Sequence, residues 1–133
     1  MPKLISEATV IESVGNKPKK IEEYVGNANT KTSDISVAKM TSPAGWIEPG
    51  QTPEFKEITY VISGELHVEY QKGVLKVKSG QTVVTEPNEW IKYSTPTPEG
   101  AEYIAICLPA FSPDTVNRDK EMETKERSQN GNR

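Results

Sequence analysis

Short runs of β-forming residues, separated by turn residues at regular intervals, fill the middle of this 133-residue chain. In one of them the apolar residues Leu66, Val68 and Tyr70 alternate with His67 and Glu69, which is the period of a half-buried strand. Repeated short strands without intervening long helices are typical of an all-β sandwich or barrel. The predicted strands span residues 35–40, 55–63, 65–70, 74–78, 82–86, 90–95 and 101–108.

The pattern is weaker at both ends of the chain. Residues 1–33 form an N-terminal extension in which two short segments are predicted to add outer strands. The second segment, 19–25, could instead form one helical turn, because its apolar residues fall on one helical face. We assign residues 34–113 to a single barrel domain. Residues 114–133 are rich in charge and poor in apolar residues, and we expect a disordered tail there.

Composition excludes several classes of function. The net charge is -3 and the basic residues form no stripe, so the electrostatic footprint of a nucleic-acid-binding protein is missing. No apolar run approaches the roughly 20 residues that cross a bilayer, and no secretory leader pattern is present. Cys107 is the only cysteine, which excludes an internal disulfide and fits a reducing compartment. We expect a soluble, cytoplasmic protein whose partner is a small molecule, with no nucleic-acid or membrane partner.

One acidic residue and three glycines stand at spacings typical of a known family. Glu57 is followed, after six β-forming residues, by Gly64; Pro49-Gly50 lies upstream and Gly80 opens a second β run. In these features the stretch 37–110 resembles the cupin superfamily, and the phrase Val-Ile-Ser-Gly-Glu-Leu-His-Val is similar to ethanolamine-utilisation-type cupins. The resemblance implies an all-β, single-domain jelly-roll barrel.

The resemblance also implies a metal site, but this chain lacks the residues for it. In the family, the glutamate at the position of Glu57 shares a metal with histidines from both motifs. The family's spacing places those histidines at Gln51 and Pro53, or at Gly50 and Thr52, and at Ile91. A transition metal in such a barrel needs imidazole and carboxylate at about four positions, and only Glu57 remains. We therefore expect no metal and no other cofactor.

Three acidic residues leave one alternative open for a metal. Glu48, Glu57 and Glu86 could together form an oxygen-rich site for a hard cation. Glu48 and Glu86 lie beside prolines in predicted turns, however, and the simpler interpretation is that both are solvated loop charges.

Five residues are candidates for a site inside the barrel. Glu57 shares a predicted strand face with Thr59, and a buried carboxyl group has the raised pKa of a general acid or base. It could equally be a structural carboxylate that hydrogen-bonds its neighbours. Alternation turns Tyr93 inward and Trp90 the other way, and both aromatic residues are assigned to ligand binding together with Thr59. Gln51 stands at a former metal-ligand position and could donate to a ligand carbonyl.

Taken together, these features favour a cupin-fold protein that binds a small polar molecule in its cavity without the usual metal. The alternative is a metal-independent isomerase, cyclase or lyase that uses Glu57 as general acid or base; a metal-dependent oxygenase is the third hypothesis. We also expect a homodimer. Both faces of the strand at 55–63 are apolar and the interior can hide only one, so Ile58, Tyr60 and Ile62 are predicted to join two copies with help from the N-terminal strands.

Overall fold

A computed structural model describes residues 1–120, and these residues form nine β-strands. In chain order the strands are β1 (Thr9–Ile11), β2 (Lys20–Val25), β3 (Ser36–Ser42), β4 (Trp46–Ile47), β5 (Lys56–Tyr70), β6 (Gly73–Lys78), β7 (Thr82–Thr85), β8 (Lys92–Thr95) and β9 (Ala101–Leu108). Among these residues no helix has the length and apolar character needed to span a membrane. The segment at 19–25, for which a helical turn was the alternative, contributes strand β2.

Two antiparallel sheets share the long strand β5. The first sheet has the strand order β1-β2-β3-β9-β5-β7, and the second has the order β6-β5-β8-β4. The N-terminal strands β1 and β2 continue the first sheet beyond β3. This all-β arrangement of two curled sheets around a common interior confirms the predicted fold class.

Strand β5 passes from one sheet to the other at a sharp corner. Its register against β9 shifts between Val61 and Ser63, and Gly64 follows with a φ of 76°. A Cβ atom at Gly64 would lie 2.1 Å from the carbonyl oxygen of Gly100, so only glycine fits this corner. The sequence pattern predicts two separate strands here, whereas the structure has one bent strand.

The register of β3, β9 and β5 aligns their inward-facing side chains in rows. The middle row is made of Ala38, Ala105 and Thr59, which lie side by side on the three strands. All three side chains are small, and so they leave the space above them open. Larger apolar groups pack at the end of the barrel beyond this row, in a cluster that includes Trp46 and Leu66.

Residues 114–120 pack against the barrel, unlike the disordered tail that we expected from their composition. Val116 is only 2% exposed and lies in a second apolar cluster with Phe55 and Cys107. Arg118 forms an isolated antiparallel bridge with Gln51. Val116 and backbone hydrogen bonds to Gly50, Thr52 and Glu54 together hold this part of the chain on the barrel. The rest of the predicted tail, 121–133, lies outside the described residues.

Truncating Val116 should destabilise the fold measurably. Val116→Ala removes two buried methyl groups, and we expect it to lower the free energy of unfolding by about 1 to 3 kcal/mol. Val74→Ala is the matched control because Val74 is 51% exposed, and a change within about 0.5 kcal/mol is expected there. Urea unfolding of both variants measures the difference. Equal effects would mean that residues 114–120 do not stabilise the barrel.

The outer face of the first sheet carries the apolar patch that we propose joins two copies. Val37, Ile106, Ile58 and Val84 form one row across four strands, and Tyr60 lies beside this row. Val84 is 50% exposed and Tyr60 47%, so apolar surface remains open to solvent in a single chain.

A charge placed in this patch should separate the dimer. We expect the wild-type protein to have twice the chain mass of 14.7 kDa in light scattering, and Ile58→Glu to have the mass of one chain. Val74→Glu, on the exposed part of β6, should leave the mass unchanged. A wild-type protein with the mass of a single chain at micromolar concentration would contradict the proposed dimer.

Candidate functional site

A cavity of about 340 Å³ lies in the barrel interior above the row of small side chains. Met40, Phe55 and Phe111 form much of its apolar wall. Acidic, basic and phenolic side chains from several strands and from both ends of the described chain also line it. The volume and the mixed wall are those of a pocket for a small organic molecule.

The two sheets are joined across the cavity by a hydrogen bond between two buried residues. The Tyr93 hydroxyl group on β8 donates to Glu57 Oε1 on β5 at 2.9 Å. Burial raises the pKa of Glu57, although Tyr93 and Lys19 counteract part of this rise. Burial likewise raises the pKa of Tyr93 well above its ordinary value, with the Glu57 carboxylate adding to the effect. Tyr93 therefore remains protonated and holds one oxygen of Glu57 in a fixed direction.

Lys19, the residue before β2, places a positively charged side chain on the cavity wall. Its Nζ atom donates to the Tyr103 hydroxyl group at 3.1 Å and lies 4.0 Å from the ring centroid of Trp46. The Tyr103 hydroxyl group also contacts Ser42 Oγ at 2.9 Å. Burial acts to lower the pKa of Lys19, but Tyr103 and Glu48 raise it by more, so the ammonium group stays charged.

Glu48 is a second buried carboxyl group on the cavity wall. It follows β4, its backbone N–H donates to the Tyr93 carbonyl oxygen at 3.3 Å, and the residue is 5% exposed. Burial raises its pKa, while Lys19 and Arg118 act in the opposite direction. Glu48 is therefore a cavity residue and not the solvated loop charge that its neighbouring proline suggested.

Gln51 and Arg118 bring two unpaired polar atoms to the same wall. Their backbones pair as an antiparallel bridge, which puts both side chains on one face, and both line the cavity. Gln51 Oε1 and Arg118 Nε are buried and have no hydrogen-bond partner among the described residues. The Arg118 guanidinium group lies 5.8 Å from the ring centroid of Phe111. Both residues line the cavity, and each has one buried polar atom, an acceptor in Gln51 and a donor in Arg118, without a partner among the described residues.

Four of the five predicted site residues line this cavity. Gln51, Glu57, Thr59 and Tyr93 are on its wall, and all four are buried. Trp90 is not among the residues that line the cavity, and its indole N–H donates to Asp119 Oδ2 at 2.9 Å. Trp90 therefore anchors the C-terminal segment, because strand alternation turns it away from the interior. The roles assigned to the other four in catalysis and ligand binding stay predictions.

Sequence reasoning did not assign Lys19 or Arg118 to the site. Lys19 precedes a strand of mixed polarity and has the pattern of an exposed charge, while Arg118 stands in the charged tail. The one indication in the sequence that this segment packs on the barrel was Val116, an isolated apolar residue two positions before Arg118. Glu48 was named only as part of a hard-cation site, and nothing in the sequence reports that it is buried.

The residues present do not fit the metal that the cupin resemblance implies. Gln51 and Ile91 pair with each other where the family's histidines would converge, and neither provides an imidazole. In residues 1–120, no group of three or more histidine, cysteine, aspartate or glutamate side chains could hold a metal ion. Glu86 does not form a hard-cation site with Glu48 and Glu57. Its side chain is exposed, and its Oε1 atom lies 3.8 Å from Lys56 Nζ.

Solved structures with this fold include a protein from Thermotoga maritima described as a predicted oxalate decarboxylase. It has a TM-score of 0.67 and 18% identity, with 82% of this chain and 99% of that protein covered. The EutQ protein of Clostridium difficile has a TM-score of 0.57 and 19% identity, with 70% of this chain and 64% of that protein covered. Identities this low establish a shared fold alone.

Sequence comparisons place the chain in a family. A protein from Myxococcus xanthus strain DK1622 named endoribonuclease YbeY is 36% identical over 106 residues, which cover 80% of this chain and 35% of that protein. The chain thus spans about a third of the length of this relative. The model of the cupin domain matches residues 39–107, more than half of the chain. The chain belongs to the cupin domain family.

Proposed function

We propose that this protein binds a small organic molecule with a polar group in the barrel cavity, without the metal usual in the family. The observation that carries the proposal is the convergence of Glu57, Tyr93, Lys19 and Glu48 on the wall of a single cavity of about 340 Å³. Buried polar groups cost free energy unless they are paired, so a site that gathers several of them is built for a partner.

The apolar part of the wall supports the same proposal. Ala38, Ala105 and Thr59 leave a volume that larger residues would fill, and an empty cavity of this kind lowers stability. Met40 and Phe111 extend this wall and offer contact area to an apolar ligand body. A cytoplasmic location is part of the proposal. Cys107 is a buried free thiol, and free thiols are typical of proteins in reducing compartments.

The Tyr93–Glu57 hydrogen bond favours a second function, that of a metal-independent isomerase, cyclase or lyase. Glu57 has a raised pKa, as a general acid or base working near neutral pH requires. Tyr93 fixes the direction of the Glu57 carboxyl group, which could then take a proton from a bound substrate. The Lys19 ammonium group could then stabilise the negative charge that develops on the substrate.

Filling the cavity should abolish ligand binding. Ala105→Phe places a ring in the space above the small row, and we expect fragments that raise the melting temperature of the wild-type protein to lose this effect. Ala28→Phe is the control, since Ala28 is exposed in a loop. A thermal-shift and NMR screen against small carboxylates, amides, alcohols and sugars measures both. Fragments that bind wild type and Ala105→Phe equally would place binding outside the cavity.

The raised pKa of Glu57 should appear in the pH dependence of stability. The folded protein keeps the Glu57 proton to a higher pH than the unfolded chain does, for which the ordinary value is 4.5. The free energy of unfolding should therefore receive a contribution that falls as the pH rises from 4.5 through the folded pKa of Glu57. Glu57→Gln removes this contribution and keeps an oxygen that can accept from Tyr93.

Urea unfolding between pH 4.5 and 8 should thus show a smaller loss of stability with rising pH in Glu57→Gln than in the wild-type protein. Some of the fall should persist, because burial also raises the pKa of Glu48. Glu69→Gln, at an exposed position of the same strand, should follow the wild-type curve. Identical curves for wild type and Glu57→Gln would mean that Glu57 is solvated and ionised in the folded protein.

A further inference from the structure

Two cationic side chains, Lys19 and Arg118, line the cavity, and neither has a carboxylate of residues 1–120 within ion-pair distance. The ion pairs within 4.0 Å among residues 1–120 involve other side chains, and neither Lys19 nor Arg118 takes part in them. Lys19 contacts a hydroxyl group and an aromatic face, and Arg118 has a buried Nε atom without a partner among residues 1–120. Both residues are half-buried, and charges that lose part of their contact with water are ordinarily paired, so these two leave room for an anion.

The two acidic residues of the cavity, Glu48 and Glu57, do not form ion pairs with Lys19 and Arg118. Glu48 and Glu57 are near enough to Lys19 and Arg118 to influence one another electrostatically, yet burial keeps the pKa of each carboxyl group raised. Lys19 keeps its proton, because its own pKa is also raised. Raised pKa values reduce the share of negative charge on the two carboxyl groups, so less of the positive charge of Lys19 and Arg118 is offset within the cavity.

We infer that the ligand is an organic monocarboxylate, bound with its carboxylate towards Lys19 and Arg118 and its apolar body along Met40, Phe55 and Phe111. This inference rests on the proposed function, since it names the class of molecule that the cavity takes. The planar guanidinium group of Arg118 suits a carboxylate, which accepts two parallel hydrogen bonds from it. The cavity is too large and too apolar for a bare inorganic anion.

The unpaired oxygen of Gln51 adds a second feature to the ligand. Gln51 pairs with Arg118 through its backbone, and its Oε1 atom accepts no hydrogen bond from the described residues. A hydroxyl group next to the ligand's carboxylate would donate to this oxygen while the carboxylate accepts from Arg118. A dianion such as a phosphate monoester fits less well, because the negative charge that remains on Glu48 and Glu57 would oppose its second charge. The structure thus points to hydroxy acids with an apolar body.

A matched series of probes with one apolar body tests the charge and the hydroxyl group separately. The probes are 3-phenylpropionate, 3-phenyllactate, 3-phenylpropanamide, 3-phenylpropanol and 2-phenylethyl phosphate, with cyclohexyl analogues in case the ring shape is unsuitable. Binding is measured by NMR titration and calorimetry. We expect the carboxylate to bind about tenfold or more tightly than the amide and the alcohol, as a charge-assisted hydrogen bond implies, and the hydroxy acid to bind more tightly still.

Variants assign the preference to the two cations. Lys19→Met and Arg118→Gln should each reduce the preference for carboxylate over amide by about tenfold and leave the affinity for the amide nearly unchanged. Lys20→Met is the matched control, because Lys20 is the next residue and its side chain is exposed beside Glu22. Circular dichroism confirms that each variant is folded. If a variant does not fold, the order of the probes on the wild-type protein still decides the question.

Each outcome separates this inference from the proposed function. Equal affinities for the carboxylate, the amide and the alcohol would overturn the monocarboxylate inference while cavity binding stands, and tighter binding of 2-phenylethyl phosphate would overturn it in favour of a dianion. A preference for carboxylate that survives both Lys19→Met and Arg118→Gln would place the anion elsewhere. No binding of any probe at millimolar concentration would contradict the inference and the proposed function together.

Discussion

The register between β3, β9 and β5 is the constraint on which the rest of this site depends. It aligns Ala38, Ala105 and Thr59 at the middle of the first sheet, where larger residues would close the barrel. The same register puts Glu57 one row away and Tyr103 one row away on the other side. The cavity volume and the positions of the polar groups around it therefore both follow from this register. A shift of one residue would turn every one of these side chains outward.

Charge in this cavity is controlled by burial more than by direct pairing. Water is largely excluded from Glu57, Glu48 and Tyr93, so each keeps its proton to a higher pH than it would in solution. Lys19 differs from these three residues, because its charged form is the one that is stabilised. A hydroxyl group and an aromatic face contact its ammonium group, and the nearby negative potential raises its pKa. Where the family's histidines would gather around a metal, this chain surrounds a cavity with cations and carboxyl groups.

The sequence predicted the architecture well because alternation and turn residues act locally. The strands near 101–108 and 74–78 were expected within a residue of where they lie. The bend in β5 was not predicted, because a glycine such as Gly64 between two β runs usually marks a turn. Only the structure, in which the backbone of Gly100 packs against Gly64, shows that the strand continues through it. Site residues on the strands of the first cupin motif could be found by counting along the motif. Lys19 and Arg118 could not, since their positions depend on how the two ends of the chain fold back over the barrel.

The central position of β9 has a consequence for the newly made chain. This strand lies between β3 and β5 in the first sheet, yet it is the last strand of the described residues to be synthesised. Until it leaves the ribosome, β3 and β5 each present an edge of unpaired backbone groups, and the apolar residues beside those edges are open as well. Co-translational folding of the first sheet must therefore wait for residues 101–108, and during that interval the nascent chain is most exposed to aggregation and to chaperones.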